Sequence, residues 1–203
     1  IRKVSLKFYM LFKTHIDKLI LLFFLPIIAP ISIFVYLIIR IEGYSPIFKQ
    51  RRVGKWGRPF TLYKFRSMKP YAPETLTHEC SEKFYIKSAP FIRRFKLDEL
   101  PQLINVLNGT MSLIGPRPGL LNDQTLILER QKKDLYNYLP GITGYSQIMN
   151  ICMDDPVELA KSDLNTIKFK KNVFLYVLIL VATVFNSKSF IKKKIINILN
   201  KYI

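Results

Sequence analysis

The 203-residue sequence is poor in the residues that build transition-metal centres and disulfide frameworks. It contains two cysteines, Cys80 and Cys152, which lie far apart in the chain, and two histidines, His15 and His78. Structural zinc sites use sets of closely spaced Cys and His ligands, and disulfide frameworks use several cysteine pairs. The sequence therefore predicts neither kind of stabilisation, and both histidines are interpreted as surface residues.

Acidic residues are also scarce, because 14 Asp and Glu stand against 32 Lys and Arg, which gives a formal net charge of +18. Folding does not need such an excess, so it indicates an anionic partner: nucleic acid, an anionic lipid surface or a phosphate-rich substrate. Hydrophobic residues make up 49% of the chain, and this favours the lipid surface. We find no aromatic and basic stacking surface of the kind that binds nucleic acid, so no nucleic-acid partner is predicted.

Charge is absent altogether from residues 19–39, a stretch of about twenty residues that is long enough to cross a bilayer as a helix. The stretch is too long for a secretory signal peptide and does not end in a small-residue cleavage pattern. Basic residues flank both of its ends, and basic flanks favour the cytoplasmic side of a membrane. Pro26 and Pro30 remove backbone hydrogen bonds from its interior and bend a helix. Two interpretations stay open: a kinked transmembrane helix, and a re-entrant hairpin that enters one leaflet and returns.

The remaining chain predicts an α+β fold that is mostly helical, with one small β-hairpin over residues 45–68. Residues 69–89 are polar and irregular, which is typical of a surface excursion. Helices are predicted at residues 97–107, 123–138, 156–170, 173–185 and 191–203, a short strand or turn at 111–117, and a turn at 140–147. The helix at 173–185 is too short to span a bilayer. The last helix combines lysine clusters with an apolar face of Ile191, Ile195, Leu199 and Tyr202, a pattern that suits an anionic surface.

The residues that could carry chemistry surround Asp98 and Glu99, at the start of the predicted helix over residues 97–107. Adjacent carboxylates can hold a divalent cation, and nearby arginines such as Arg93 can bind phosphate. The other interpretation is structural, with Asp98 as a helix cap and Glu99 as a first-turn acid favoured by the helix dipole. Arg117 lies between two prolines, which fix the direction of a guanidinium whose planar donors suit phosphate. An ordinary surface arginine is the alternative there.

Several motifs occur along the chain in a fixed order. They are QRRVG at residues 50–54, YKFRSM at 63–68, KLDELPQL at 96–103, NVL at 105–107, MSLIGPRP at 111–118 and PGITG at 140–144, followed by Gln147. Each motif alone is a weak signal, but the ordered set is specific and covers residues 13–185. The set resembles the bacterial sugar transferase family, the monotopic phosphoglycosyl transferases that start O-antigen, capsule and protein-glycan assembly.

The resemblance implies a monotopic enzyme on the cytoplasmic face of the bacterial inner membrane, anchored by a re-entrant, proline-broken helix. Together with the charge pattern it implies three segments. These are a membrane-associated re-entrant helix at residues 1–43, a catalytic domain at 44–185, and a basic amphipathic tail at 186–203. The expected partners are undecaprenyl phosphate, a nucleotide sugar and anionic inner-membrane lipids.

The resemblance also implies the reaction. A sugar-1-phosphate passes from a nucleotide-diphospho-sugar to undecaprenyl phosphate through a covalent aspartyl-phosphosugar intermediate, with Mg²⁺ as cofactor. Asp98 matches the nucleophile and metal ligand of the family, and Glu99 matches the residue that assists attack by the lipid phosphate. Arg93, Arg117 and Lys64 match residues near the substrate phosphates. Family habit favours an amino or deoxy sugar on uridine diphosphate.

The sequence departs from the family pattern at several positions while keeping Asp98 and Glu99. The departures are Ala29, Thr110, Ser146, Cys152, Tyr176 and Leu178. A catalytically degenerate adaptor that only binds membrane surfaces is the alternative function, and the intact carboxylate pair disfavours it. We therefore expect the departures to affect sugar selection rather than the reaction.

Overall fold

The protein is mostly helical in the computed structural model, which describes residues 2–72, 82–151, 153–185 and 189–203. Its helices are α1 (Arg2–Ile41), α2 (Ala89–Arg94), α3 (Gln102–Leu107), α4 (Gln124–Lys132), α5 (Tyr145–Ile148), α6 (Pro156–Lys170), α7 (Val173–Val184) and α8 (Phe190–Asn200). Its strands are β1 (Ile47–Val53), β2 (Pro59–Phe65), β3 (Ser112–Ile114) and β4 (Gly141–Thr143). Single 3₁₀ turns occur at Lys55–Gly57, Glu82–Phe84, Leu97–Glu99 and Leu135–Asn137. The mostly helical α+β class and the β1–β2 hairpin are confirmed.

Two compact units share these elements. The first unit consists of Ile1–Gln50 and Thr61–Leu107, and the second consists of Arg51–Phe60 and Asn108–Ile203. The base of the β1–β2 hairpin therefore belongs to the first unit and its tip to the second. The boundaries predicted after residues 43 and 185 are of another kind, because they separate membrane-associated segments from a catalytic domain. They stay predictions.

Helix α1 holds the stretch that was predicted to enter the membrane. Its segment His15–Ile41 has a mean hydropathy of 2.6 and is long and apolar enough to cross a bilayer. Pro26 and Pro30 both lie inside the helix, which continues through them as one element. A proline bends a helix without ending it, so this continuity fits a kinked transmembrane helix and a re-entrant helix equally. The re-entrant hairpin stays a prediction.

The core of the first unit lies where the end of α1 meets β2 and α2. Val35 and Ile39, one helical turn apart and fully buried, pack with Phe65, Ile86 and Ile92. The amide of Asn105 on α3 then fixes that helix to β2, because it donates to Thr61 O at 2.7 Å and accepts from Tyr63 N at 3.2 Å. A buried amide with both ends bonded holds a strand and a helix in one register.

The single helix predicted at residues 97–107 is wrong in detail. A 3₁₀ turn at Leu97–Glu99 comes first, and α3 begins only at Gln102. Pro101 has no amide hydrogen, so one bond of the α-helical pattern is missing there. Leu103 N and Ile104 N donate to carbonyls three residues earlier, Leu100 O at 3.0 Å and Pro101 O at 3.1 Å. Helix α3 buries Gln102, Asn105 and Val106, while Ile104 is 48% exposed. Its buried face is therefore largely polar.

The second unit contains a parallel pair of strands where the sequence predicted a turn at residues 140–147. β3 pairs with β4 in the register Ser112↔Gly141 and Ile114↔Thr143. The glycines that were taken as turn residues instead allow close backbone contact. A Cβ atom on Gly141 would lie 2.0 Å from Gly115 N, and one on Gly115 would lie 2.4 Å from Leu139 O. The turn prediction was wrong because glycine occurs both in tight turns and where two backbones come into close contact.

Helix α6 organises the core of the second unit and has the predicted bounds, Pro156–Lys170, with Asp155 as its N-terminal cap. The predicted helix at 123–138 is shorter than expected, because α4 ends at Lys132 and Asp134 adopts a left-handed conformation. Leu126 of α4 and Leu135 pack with Leu159, Ala160 and Ile167 of α6.

Helix α7 was predicted to be buried or to lie at an interface, and it buries Leu175 and Ile179. Helix α8 was predicted to lie on an anionic surface. Helix α8 buries Ile195 and Leu199 as expected, but it also buries Lys192, while Ile191 is 46% exposed and Tyr202 53%. Burial therefore follows only the middle of the predicted apolar face. Whether α8 lies on an anionic surface stays a prediction.

We expect Gly141→Ala to destabilise the protein strongly, by about 4 kcal/mol or more, because the added methyl group would force β4 away from Gly115. Thermal or denaturant unfolding in detergent measures this effect. Gly57→Ala is the matched control: Gly57 has φ +72° and open space around its Cβ position, so only backbone strain of about 1–2 kcal/mol applies. Equal losses in the two variants would contradict the close-contact explanation.

Candidate active site

The candidate site in the first unit begins where α2 turns back into the 3₁₀ turn that carries Asp98. Lys96 adopts a left-handed conformation with φ 55° and starts this turn. Its amide donates to Arg93 O at 3.1 Å, and its carbonyl accepts from Glu99 N at 3.2 Å. Asp98 thus lies inside a turn that follows α2 directly. Since α3 begins at Gln102, Asp98 does not occupy the cap position that the structural interpretation required.

Asp98 is a destabilised carboxylate. Burial, which disfavours the charged form, raises the pKa of Asp98 to about 6, and repulsion from Glu99 adds to this shift. The positive charges of Lys64 and Arg93 act in the opposite direction and keep the pKa of Asp98 from rising further. The group is therefore ionised at neutral pH but remains unusually basic for an aspartate.

Arg93 presents an unused donor. Its Nη1 atom is buried and has no hydrogen-bond partner among the described residues. The guanidinium carbon of Arg93 lies 4.7 Å from the centre of the Tyr85 ring. This distance fits a cation–π contact, which helps to hold the guanidinium in place. A buried donor without an acceptor costs about 1–3 kcal/mol. An anionic oxygen from a ligand would remove that cost.

Lys64 enters the same group of charges from β2. Its neighbour Tyr63 donates its amide to the Asn105 side chain at 3.2 Å, so the strand is held against α3 at this point. The positive charge of Lys64 lowers the pKa of Asp98, as expected for two charged groups near each other. The first unit therefore brings together Asp98, Glu99, Arg93 and Lys64.

Arg117, the fifth predicted residue, belongs to the second unit. Its side chain is exposed between the buried residues Pro116 and Pro118. A second arginine, Arg52, lies near it. Burial and, to a smaller extent, the positive charge of Arg117 lower the pKa of Arg52 to about 10. Arg52 was overlooked as a functional candidate, although it stands inside the QRRVG motif.

The carboxylate pair suits Mg²⁺ better than a metal that needs a complete protein cage. No group of three or more His, Cys, Asp and Glu side chains that could hold a metal occurs among the described residues. Mg²⁺ is commonly bound by one or two carboxylates together with waters and substrate phosphate oxygens. Asp98 and Glu99 repel each other, and a divalent cation between them would relieve that repulsion.

Residues 8–189 match the model of the family described as bacterial sugar transferase. The chain belongs to the bacterial sugar transferase family. The match runs from α1 through α7 and includes both units.

Curated relatives of this sugar transferase include the "uncharacterized sugar transferase EpsL" of Bacillus subtilis, 40% identical over 68% of the chain and 69% of the relative. The undecaprenyl-phosphate galactose phosphotransferase of Salmonella typhimurium is 37% identical over 67% of the chain. The UDP-glucose:undecaprenyl-phosphate glucose-1-phosphate transferase of Escherichia coli is 36% identical over 68% of the chain. The matched regions make up 32% and 31% of those two relatives, so the chain corresponds to about a third of each.

We expect Asp98→Asn to stabilise the fold by about 1–3 kcal/mol at pH 7.5, because the folded state raises the pKa of Asp98 and so disfavours the carboxylate. With a pKa near 3.8 when unfolded and about 6 when folded, the penalty is complete above pH 6 and shrinks as the pH falls from 6 to 4. Unfolding of both proteins at pH 7.5 and pH 4.5 measures this difference. An advantage of the variant that does not change with pH would contradict the assignment.

Proposed function

We propose that the protein is a phosphoglycosyl transferase that moves a sugar-1-phosphate from a nucleotide-diphospho-sugar to undecaprenyl phosphate. The observation that carries this proposal is the Asp98 carboxylate, which burial and Glu99 make basic in a chain of the bacterial sugar transferase family. The Salmonella typhimurium and Escherichia coli relatives are named for transfer to undecaprenyl phosphate, which supports the same acceptor here.

In the first step Asp98 acts as the nucleophile. A carboxylate oxygen attacks the β-phosphorus of the donor, the bond to the bridging oxygen breaks, and nucleoside monophosphate leaves. The product is an acyl phosphate that carries the sugar, a high-energy linkage that preserves the energy of the donor bond. A partly desolvated, more basic carboxylate is a better nucleophile than an ordinary one, and it is ionised above pH 6.

Negative charge on the donor would repel Asp98 unless cations offset it. Arg93 has a buried Nη1 donor with no partner among the described residues, and we assign it to a non-bridging phosphate oxygen. Lys64 interacts with Asp98 in the free protein and supplies a second positive charge. When bound, Mg²⁺ would be held by Asp98 with Glu99 beside it, and would neutralise phosphate charge.

In the second step undecaprenyl phosphate is the nucleophile. One of its phosphate oxygens attacks the phosphorus of the aspartyl-phosphosugar, the bond from phosphorus to the Asp98 oxygen breaks, and the carboxylate is restored. We assign Glu99 to the acceptor, where it takes the proton of the lipid phosphate or orients that phosphate. Arg117 is assigned to donor phosphate on the chemistry of an exposed guanidinium on a rigid Pro-Arg-Pro segment.

The acceptor is a lipid, and the exposed apolar residues of α1 support a membrane location. Phe23 is 78% exposed and Ile27 62%, as expected for a helix surface that contacts lipid. We propose a re-entrant course that leaves both ends at the cytoplasmic face of the inner membrane, with the exposed lysines of α8, Lys193 and Lys194, on anionic lipid.

The donor is proposed to be a uridine-diphosphate sugar, and the product to start a surface glycan such as O-antigen, capsule or a protein glycan. Names of relatives include UDP-glucose and UDP-N-acetylgalactosamine as donors. These names differ in the sugar and agree in the nucleotide, so they support the nucleotide more strongly. An amino or deoxy sugar remains our expectation.

The test is a covalent adduct formed with donor alone. Purified protein with Mg²⁺ and a panel of UDP-sugars should release about one equivalent of uridine monophosphate and gain the mass of one sugar phosphate, measured on intact protein. Asp98→Asn should show neither change while it still binds membranes. Asp134→Asn, the same substitution at an exposed residue with φ 53°, should behave as wild type.

Turnover without any adduct would exclude the covalent route. Binding to liposomes with no monophosphate release from any donor would favour the adaptor function instead.

The re-entrant course predicts that reporters fused to the two ends of the chain both lie in the cytoplasm. A kinked transmembrane helix would place them on opposite sides of the membrane. Paired cytoplasmic and periplasmic reporters, expressed in bacterial cells, distinguish the two courses. A periplasmic signal from the N-terminal fusion alone would show that α1 crosses the bilayer.

A further inference from the structure

The segment that carries Arg117 is tied down from several sides within the second unit. Three of its carbonyl oxygens accept hydrogen bonds: Pro116 O from Gly141 N at 2.9 Å, Pro118 O from Arg52 Nη1 at 3.3 Å, and Gly119 O from Val53 N at 3.0 Å. We call residues 116–119 the arginine loop. Its backbone is fixed by strands β1 and β4, while the Arg117 side chain stays exposed.

The amide of Arg117 is the one donor that the Pro-Arg-Pro backbone can offer, because proline has no amide hydrogen. Burial raises the pKa of Asp163, and a hydrogen bond from the Arg117 backbone is among the interactions that lower it, which places this amide next to the Asp163 carboxylate. Asp163 lies on α6 and is fully buried, with 0% of its surface exposed. A buried carboxylate on a long helix therefore holds the backbone of Arg117 directly.

Two further side chains fix the direction of the Asp163 carboxylate. Arg130 on α4, itself 2% exposed, donates from Nε at 3.0 Å and from Nη2 at 2.6 Å to Oδ2. Ser146 donates from its hydroxyl group to Oδ1 at 3.0 Å. The Arg130 guanidinium also lies under the arginine loop, since a Cβ atom on Gly119 would come within 3.3 Å of its Nη1 atom.

Gln147 completes the network once its amide orientation is assigned from its neighbours. The Ser146 hydroxyl group lies 2.9 Å from Gln147 Oε1 and 3.0 Å from Asp163 Oδ1, but it has one proton to donate. Gln147 Nε2 is buried with no partner among the described residues. Exchanging the amide oxygen and nitrogen lets Gln147 donate to Ser146, which donates to Asp163. Ser146 thus adds a hydrogen bond to Asp163.

Stability alone does not account for this arrangement. A buried ion pair gains little over well-packed hydrophobic residues of the same volume, because both charges lose their hydration. Such a pair fixes the position of its carboxylate, and here the same carboxylate lies next to the Arg117 backbone. We propose that Asp163 is a positioning residue, which acts through the arginine loop to hold the Arg117 guanidinium for substrate phosphate.

The inference rests on the proposed function of Arg117 as a ligand of the donor phosphates. A merely structural role of Asp163 predicts a different result, because loss of packing would reduce activity whether or not Arg117 is present. A double-mutant cycle separates the two roles, since it measures whether one residue acts through the other.

The experiment combines Asp163→Asn with Arg117→Met in the full chain and measures uridine monophosphate release as a function of UDP-sugar concentration. An asparagine offers one acceptor oxygen instead of two, so it cannot serve Arg130, Ser146 and the Arg117 amide together. Asp163→Asn should lower kcat/KM for the donor about 10–100-fold, mainly through KM, since a displaced ligand loses about this much. In the Arg117→Met background the same substitution should lower it less than about threefold.

Glu129→Gln is the control, on helix α4 next to Arg130. Glu129 pairs with Lys132 and Lys133 at the surface, so its loss changes a charge on α4 without reaching Asp163. If Asp163→Asn does not fold, Arg130→Lys enters the cycle, because lysine keeps the charge and loses the two-atom contact with Oδ2. It should show the same dependence on Arg117.

Additive effects in the cycle would overturn the inference and leave the proposed function standing, provided that Arg117→Met alone raises the donor KM. An Arg117→Met protein with unchanged donor kinetics would instead remove the proposed role of Arg117, and the inference with it. Equal losses for Asp163→Asn in both backgrounds would assign Asp163 a structural role only.

Discussion

The rest of the account depends on one constraint: Asp98 must stay ionised in a place where its charge is costly. Partial burial and the adjacent Glu99 carboxylate both oppose ionisation, and Lys64 and Arg93 offset only part of that cost. A carboxylate in this position is more basic than usual, and positive charges that approach it stabilise its ionised form. The Nη1 donor of Arg93 is likewise costly, because it is buried and has no hydrogen-bond partner among the described residues. The proposed site thus combines a costly carboxylate with a buried guanidinium donor, and the proposed phosphorylated substrate would bond to that donor.

The sequence predicted the elements that depend on local pattern and missed those that depend on contacts distant along the chain. The hairpin at β1–β2 and the bounds of α6 follow from turn residues and helical periodicity, which are local signals. Strand β4 was missed because Gly141 resembles a turn residue until its contact with Gly115 is known. The break in the helix predicted at residues 97–107 has a local signal in Pro101, which lacks an amide hydrogen and removes one bond of the α-helical pattern.

The candidate site could be predicted mainly because its motifs resemble a family, and the structure adds the physical interactions. Asp98, Glu99, Arg93 and Lys64 come together in the first unit through a left-handed Lys96 and a strand held by Asn105. Neither feature follows from spacing. Asp163 had no sequence signal, since an aspartate inside an amphipathic helix normally faces solvent. Its burial, and its bonds to Arg130 and the Arg117 amide, follow from tertiary packing alone.

The most direct measurement of the central claim is the titration of Asp98 itself. Carbon NMR of protein labelled at the aspartate carboxyl groups should show one resonance that titrates near pH 6 and is absent from Asp98→Asn. Substituting Glu99 with glutamine should lower that pKa, because the repulsion between the two carboxylates is removed. If the resonance that Asp98→Asn removes titrates near 4, Asp98 is an ordinary surface acid, and the account of its reactivity is contradicted.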